Sequence, residues 1–167
     1  MDQLLGSNNF DIVPHLVALA IAYALAFPIG WNREREERSA GLRTFPLVAV
    51  ATCGVIQAAE TLTSGSAEAM ARIIEGLITG MGFIGGGAIL RQTESVRGTA
   101  TAASLWITGA IGIAVGVGSY DVAVVLAIAT VITLWAMEPL KRLGHLAPHE
   151  QESVDRQAKA ANKRRKE

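Results

Sequence analysis

The chain has 167 residues, of which 50% are hydrophobic, and its 15 basic and 15 acidic side chains give no formal net charge. The apolar residues come in long blocks and not in amphipathic periods, which excludes an ordinary soluble domain. Five blocks reach or nearly reach the roughly 20 residues that cross a bilayer. They are residues 12–31, 45–59, 71–90, 99–117 and 120–137. The sequence therefore predicts an all-α membrane protein, a bundle of five transmembrane helices.

The basic residues predict how this bundle is oriented. With five spans, the first loop, the third loop and the C-terminal tail share one side of the membrane, and they hold fourteen of the fifteen Lys and Arg residues. Lys and Arg accumulate in the cytoplasmic loops of membrane proteins. The N-terminus is therefore expected outside and the C-terminus in the cytoplasm.

The first span is predicted to bend or end at Pro28, because proline removes a helical hydrogen bond. The loop that follows alternates in charge, and a short helical extension with charges paired to one another explains this pattern. Any first cytoplasmic loop also collects arginines. Arg33, Glu34 and Arg43 are therefore candidate functional residues that composition alone does not separate from structural ones.

The second block is the shortest, so it crosses the membrane only if it extends into its polar flanks. Thr44, with Pro46 two residues later, resembles a helix start. Cys53 lies inside the block and is expected to serve packing.

The third block contains six glycines and is predicted to be the central helix. On a helical wheel its small residues form two strips, one of which also carries Glu75 and Thr79. Strips of small residues let helix backbones approach in lipid, where no hydrophobic force drives helices together. The expected helix-packing residues are Gly76, Gly80, Gly82, Gly86 and Gly87.

Glu75 is the one acidic residue within an apolar span, and intramembrane carboxylates are costly enough to be candidates for function. Ser66 is a plausible N-cap of the same helix, and Glu68, Arg72 and Glu75 then lie on one face at i, i+4 and i+7. Pairing with Arg72 would lower the cost of Glu75. Both residues are therefore either a structural pair or part of a functional site.

The third loop is predicted to be short and basic and contains Arg97. Thr101, Ser104 and Thr108 follow along one strip of the fourth span. Such hydroxyls usually bond their own backbone or a neighbouring helix. The alternative is a polar pathway between the third and fourth spans.

Three segments together resemble the MgtC/SapB family of bacterial inner-membrane proteins. They are Arg33-Glu34-Arg35 with AGLRT at 40–44, the glycine-rich run at 71–87, and VRGTATAASLW at 96–106. We expect residues 1–140 to form an MgtC/SapB-like transmembrane domain and residues 141–167 to form a polar, basic, disordered cytoplasmic tail. The resemblance implies a short form, since longer members add a soluble C-terminal domain.

The resemblance implies a multi-pass protein of the inner membrane that supports magnesium homeostasis, growth when magnesium is scarce and, in pathogens, survival inside host cells. Its expected surroundings are the lipid bilayer, other membrane proteins on which it acts, and further copies of itself. The alternative is a small carrier or channel for Mg²⁺ or another cation, with Glu75 on the pathway. Direct binding of a metal stays open.

An enzyme is not expected, because the sequence shows no nucleophile with a base, no metal-ligand cluster and no phosphate loop. Gly80 to Gly85 matches the G-x-G-x-x-G pattern, but apolar sequence flanks it on both sides where a nucleotide site needs a strand and a helix start. We therefore predict no cofactor and no nucleic-acid partner.

Overall fold

The computed structural model describes residues 12–36, 40–92 and 95–137. These residues form five helices and a hairpin: α1 (Ile12–Arg35), α2 (Thr44–Thr63), α3 (Ala67–Gly87), β1 (Leu90–Gln92), β2 (Ser95–Arg97), α4 (Thr99–Gly116) and α5 (Tyr120–Met137). Each helix covers one predicted span, which confirms the all-α architecture. The predicted tail, residues 141–167, lies outside the described residues.

Four of the described helices, α1, α2, α4 and α5, are long and apolar enough to cross a membrane. The second span reaches this length because α2 extends into both polar flanks, with 20 residues. The third predicted span is not among the four: α3 has 21 residues, but Arg72, Glu75 and six glycines lower its hydropathy. Large apolar side chains stay on the surface, including Phe83 at 87% exposure, as expected where lipid replaces water.

The central helix is α4, and the prediction that α3 holds this position is wrong. α4 contacts α1, α2 and α3, and half of its residues are buried. In α3 only Met81 and Gly85 are buried. A Cβ atom on Gly112 of α4 would overlap Thr52 and the carbonyl group of Ala49 on α2. Helical periodicity shows which glycines share a strip, but not which strip faces a neighbouring helix.

Most helix ends lie where the sequence predicts them. Thr44 begins α2 as predicted, and Ser66 is the predicted N-cap of α3, since its Oγ accepts a hydrogen bond of 3.3 Å from the Ala69 N–H. Cys53 is fully buried, consistent with packing. Pro28 does not end α1, because the helix continues through it to Arg35.

The third loop contains a small antiparallel hairpin that the sequence did not predict. β1 pairs with β2, with Leu90 opposite Arg97 and Gln92 opposite Ser95. Gly98 follows with φ +91°, and its carbonyl accepts from the Ala102 N–H at 2.8 Å in the first turn of α4. The hairpin therefore passes directly into the central helix.

The α1–α2 turn and the hairpin lie at the same end of the first three helices. The end of α1 lies against the start of α2 through Gly30 and Gly41, and the start of α2 shares a groove with the end of α3. We call this the basic end; it carries the α1–α2 turn and the hairpin. The chain divides into two compact units, Met1–Val131 and Ile132–Glu167, of which the second is described only over residues 132–137.

Candidate functional site

Arg33 lies near the end of α1 and is buried although it carries a charge, with its side chain 2% exposed. Its guanidinium donates two hydrogen bonds to Asn32 Oδ1, at 2.6 Å from Nη2 and 3.1 Å from Nε. It also pairs with Glu36 at 3.2 Å. A charge removed from water needs partners of this kind. Burial therefore distinguishes Arg33 from Arg35 and Arg43, which are exposed. Its partner Asn32 was not a sequence candidate.

Glu34 fixes the α1–α2 turn at the same end. Its Oε2 accepts a hydrogen bond of 3.2 Å from the Leu42 N–H. The side chain lies against Gly41, where any Cβ atom would overlap it. On α1, a Cβ at Gly30 would come within 3.2 Å of the Gly41 carbonyl oxygen. Two glycines and one carboxylate therefore hold the turn against α1.

Replacing Glu34 with alanine is expected to lower the free energy of unfolding by about 1 kcal/mol, the usual contribution of one such hydrogen bond. Glu34→Gln keeps an oxygen that can accept from Leu42 N–H, so it should retain most of the stability. Arg35→Ala removes an exposed neighbour and serves as the control. The measurement is unfolding of the purified protein in mixed micelles by added SDS. Equal losses for Glu34→Ala and Glu34→Gln would contradict this role.

Arg43 and Arg97 also lie at the basic end, but neither takes part in the contacts of Arg33 or Glu34. Arg43 immediately precedes α2 and Arg97 ends β2, and both side chains are exposed. Among residues 12–36, 40–92 and 95–137, neither forms an ion pair. The structure therefore gives the basic candidates different surroundings, since Arg33 is buried whereas Arg43 and Arg97 are exposed.

Thr101, Ser104 and Thr108 are buried along α4. Ser104 Oγ donates to the Ala100 carbonyl at 2.7 Å, and Thr108 Oγ1 donates to the Ser104 carbonyl at 2.8 Å. On the facing helix, Thr52 likewise donates to carbonyls of its own helix. These bonds favour the packing interpretation of the strip over a polar pathway.

Glu75 and Arg72 do not pair, so the structural pair, one of the two alternatives, does not form. Arg72 binds Glu68, with Nη2 2.9 Å from Oε1. An acid four residues before an arginine is the favourable order on a helix, so Glu68 takes the guanidinium. Glu75 is exposed, and its carboxylate has no ion pair or hydrogen bond within the described residues.

One strip of α3 is exposed along its length and is covered by no other described helix. It consists of Glu75, Thr79, Gly82 and Gly86, and we call it the outward strip. A Cβ atom on Gly82 or Gly86 would meet nothing within 4 Å. Within the described residues, its side chains form one hydrogen bond, which runs from Thr79 Oγ1 to the Glu75 carbonyl at 2.9 Å.

The other glycine strip of α3 lines an open groove between α2 and α3, which we call the α2–α3 groove. Its volume is about 650 Å³, and Gly76 and Gly80 form part of its wall. A Cβ atom at Gly76, Gly80 or Gly87 would meet nothing within 4 Å. At none of the five predicted packing glycines would an added Cβ atom therefore meet another helix of the described chain.

Together these features define a small multi-pass membrane protein whose third helix presents small residues to its surroundings. The profile of the MgtC family matches residues 19–143, and the chain belongs to this family. The sequence did not predict that α2 forms one wall of the α2–α3 groove. Nothing in the α2 pattern distinguishes a groove wall from a lipid-facing side.

The chain is similar to several named proteins of this kind. It is 37% identical over 123 residues to Protein MgtC of Salmonella typhimurium, an alignment that covers 74% of this chain and 51% of that protein. Protein MgtC of Brucella abortus is 35% identical over 122 residues, 73% of this chain and 50% of that protein. Protein SrpB of Synechococcus elongatus is 34% identical over 140 residues, 77% of each chain. The chain thus spans about half the length of its MgtC relatives. No solved structure matches it.

Proposed function

We propose that this protein supports magnesium homeostasis at the bacterial inner membrane by binding other membrane proteins through the outward strip of α3. Membership of the MgtC family suggests a magnesium-related function. The proposed action is contact with a partner and not catalysis. The proposed orientation places the basic end in the cytoplasm, in keeping with the distribution of Lys and Arg.

The observation that carries this proposal is an exposed carboxylate on the same strip of α3 as two open glycines. An unpaired carboxylate on a membrane helix is stabilised by a basic or hydrogen-bonding partner, and Glu75 has no partner in the part of the chain that the structure describes. Gly82 and Gly86 admit the backbone of another helix at close range. A partner span that carries a basic or hydrogen-bonding group opposite Glu75 would satisfy both features.

Blocking the outward strip is expected to abolish function without unfolding the protein. Gly82→Leu with Gly86→Leu places bulk where nothing lies within 4 Å, and leucine favours a helix more than glycine does. A deleted strain that carries this double variant should grow in low magnesium no better than the empty strain. Val125→Phe enlarges an exposed residue of α5 and is the control, which should restore growth.

Photocross-linking tests the same surface directly. A photoreactive amino acid at position 82 should capture a second membrane-protein span, whereas one at position 125 should capture only lipid. Capture of a second copy of this chain would identify a homo-oligomer as the partner. Full growth with Gly82→Leu and Gly86→Leu, at normal protein levels, would overturn the proposal.

A cation carrier is the second candidate, and the unpaired carboxylate of Glu75 is the observation in its favour. Within residues 12–36, 40–92 and 95–137, no three His, Cys, Asp or Glu side chains are grouped to hold a metal ion. Magnesium flux into proteoliposomes, compared between the natural chain and Glu75→Gln, separates the two functions. Flux that falls in the variant would establish a carrier, whereas no flux from a protein that restores growth leaves partner binding.

A further inference from the structure

The α2–α3 groove is apolar along its walls and polar at one end. It is lined by Leu47 and Val55 on α2 and by Leu77 and Phe83 on α3. Leu47 is 65% exposed and Phe83 is 87% exposed, so both side chains stand at the surface beside the groove. The volume of about 650 Å³ lies within the range of small-molecule sites, about 300–1,000 Å³. The groove therefore suits an apolar chain lying along the helices.

The polar end of the groove carries an unused positive charge. Arg43 and Thr44 line it at the basic end. The Arg43 guanidinium is exposed and has no ion pair within the described ranges. Glu34, an acid of the preceding turn, accepts from the Leu42 N–H. Arg43 is therefore free to bind an anion, and a guanidinium fits a phosphate through two parallel hydrogen bonds.

The length of the groove distinguishes a lipid from a helix. Its α2 wall runs from Arg43 to Val55, which is about 18 Å at 1.5 Å per residue. One leaflet contributes half of a hydrocarbon core of about 30 Å, or about 15 Å. A spanning helix would need the whole core, whereas one acyl chain needs one leaflet with its headgroup at the basic end.

We propose that the α2–α3 groove binds an anionic phospholipid, with its phosphate at Arg43 and Thr44 and one acyl chain over Gly76 and Gly80. The two glycines leave the wall smooth, and nothing lies within 4 Å of where their Cβ atoms would be. The anionic headgroup supplies the negatively charged partner that Arg43 lacks. This site is separate from the outward strip, so it does not depend on the proposed partner.

Native mass spectrometry of the full chain tests the proposal. The protein is purified in detergent with equal amounts of phosphatidylglycerol and phosphatidylcholine, and the lipid that stays bound is counted. One phosphatidylglycerol should be retained in preference to phosphatidylcholine. Arg43→Gln should lower that preference about fivefold, since a basic residue near an anionic lipid surface contributes on the order of 1 kcal/mol. Gly80→Leu, which fills the groove, should remove the bound lipid altogether.

Arg97→Gln is the matched control, because Arg97 is an exposed arginine at the same end but does not line the groove. It should keep the preference of the natural chain. Equal retention of both lipids by the natural chain, or equal losses for Arg43→Gln and Arg97→Gln, would overturn the proposal. Retention of phosphatidylglycerol by Gly80→Leu would also overturn it. Cross-linking from position 80 to a protein span, and not to lipid, would also overturn the proposal, because the groove would then be a helix-binding surface.

Discussion

Replacing Gly112 with alanine is expected to lower the free energy of unfolding by about 3 kcal/mol, the upper part of the usual cost of overpacking a core. A Cβ atom at this position would overlap Thr52 Oγ1 and the carbonyl oxygen of Ala49. The carbonyl belongs to the backbone of α2, so it cannot rotate away as a long side chain would. Relief requires α2 and α4 to separate, and both helices lose packing along the buried face of α4.

The control for this variant is Gly80→Ala, where the added methyl group meets nothing within 4 Å. Alanine favours the helix over glycine by about 0.8–1.0 kcal/mol, so this variant should equal or slightly exceed the natural chain in stability. SDS-induced unfolding in mixed micelles measures both proteins. Similar stability of Gly112→Ala and the natural chain would show that α2 and α4 do not approach as closely as described.

A second comparison uses Gly109, which lies one turn earlier on α4. Its Cβ would overlap the sulfur of Met81 on α3, and a methionine side chain adapts to such changes better than a backbone does. The two positions look alike in sequence, since both are glycines on one helix. Their contacts differ, and Gly109→Ala should therefore be the milder change in the same assay.

The sequence predicts the helices well because lipid demands long apolar segments whatever the tertiary contacts are. It also predicts local ends, such as the Ser66 cap, because a cap depends only on neighbouring residues. The position of each helix in the bundle was predicted less well. Small residues serve contacts within one chain and contacts between chains equally, so the glycines of α3 and α4 could not be ranked from their spacing.

For the candidate residues, too, the sequence identifies the residues but not their surroundings in the bundle. Arg33, Arg43 and Arg97 are equivalent by composition, and only the structure shows that Arg33 is buried against Asn32 while the other two are exposed. The partner of Arg72 had two alternatives in sequence, at positions 68 and 75. Because Arg72 pairs with Glu68, the Glu75 carboxylate stays unpaired on the outward strip, and the proposed function rests on it.

Replacing Gly98 with alanine is expected to cost about 2–5 kcal/mol, because two penalties combine: left-handed backbone, about 1–2 kcal/mol, and overpacking, about 1–3 kcal/mol. Gly98 has φ +91°, and its Cβ would overlap the Ala88 carbonyl oxygen and lie 3.3 Å from the Ile89 Cα. Both contacts are backbone, so the chain between α3 and the hairpin would have to move. Since Gly98 precedes the central helix, that movement would shift the start of α4.

Gly65→Ala separates the two penalties. Gly65 has φ +81° in the turn before α3, but nothing lies within 4 Å of its Cβ position. This variant should lose only the conformational part, about 1–2 kcal/mol. Asparagine tolerates a left-handed backbone better than alanine, so Gly65→Asn should recover much of the loss while Gly98→Asn should not, because the overlap with Ala88 remains. Recovery at both positions would mean that Gly98 is needed for its backbone conformation alone, and that the space between the hairpin and α3 is wider than the contacts of Ala88 and Ile89 indicate.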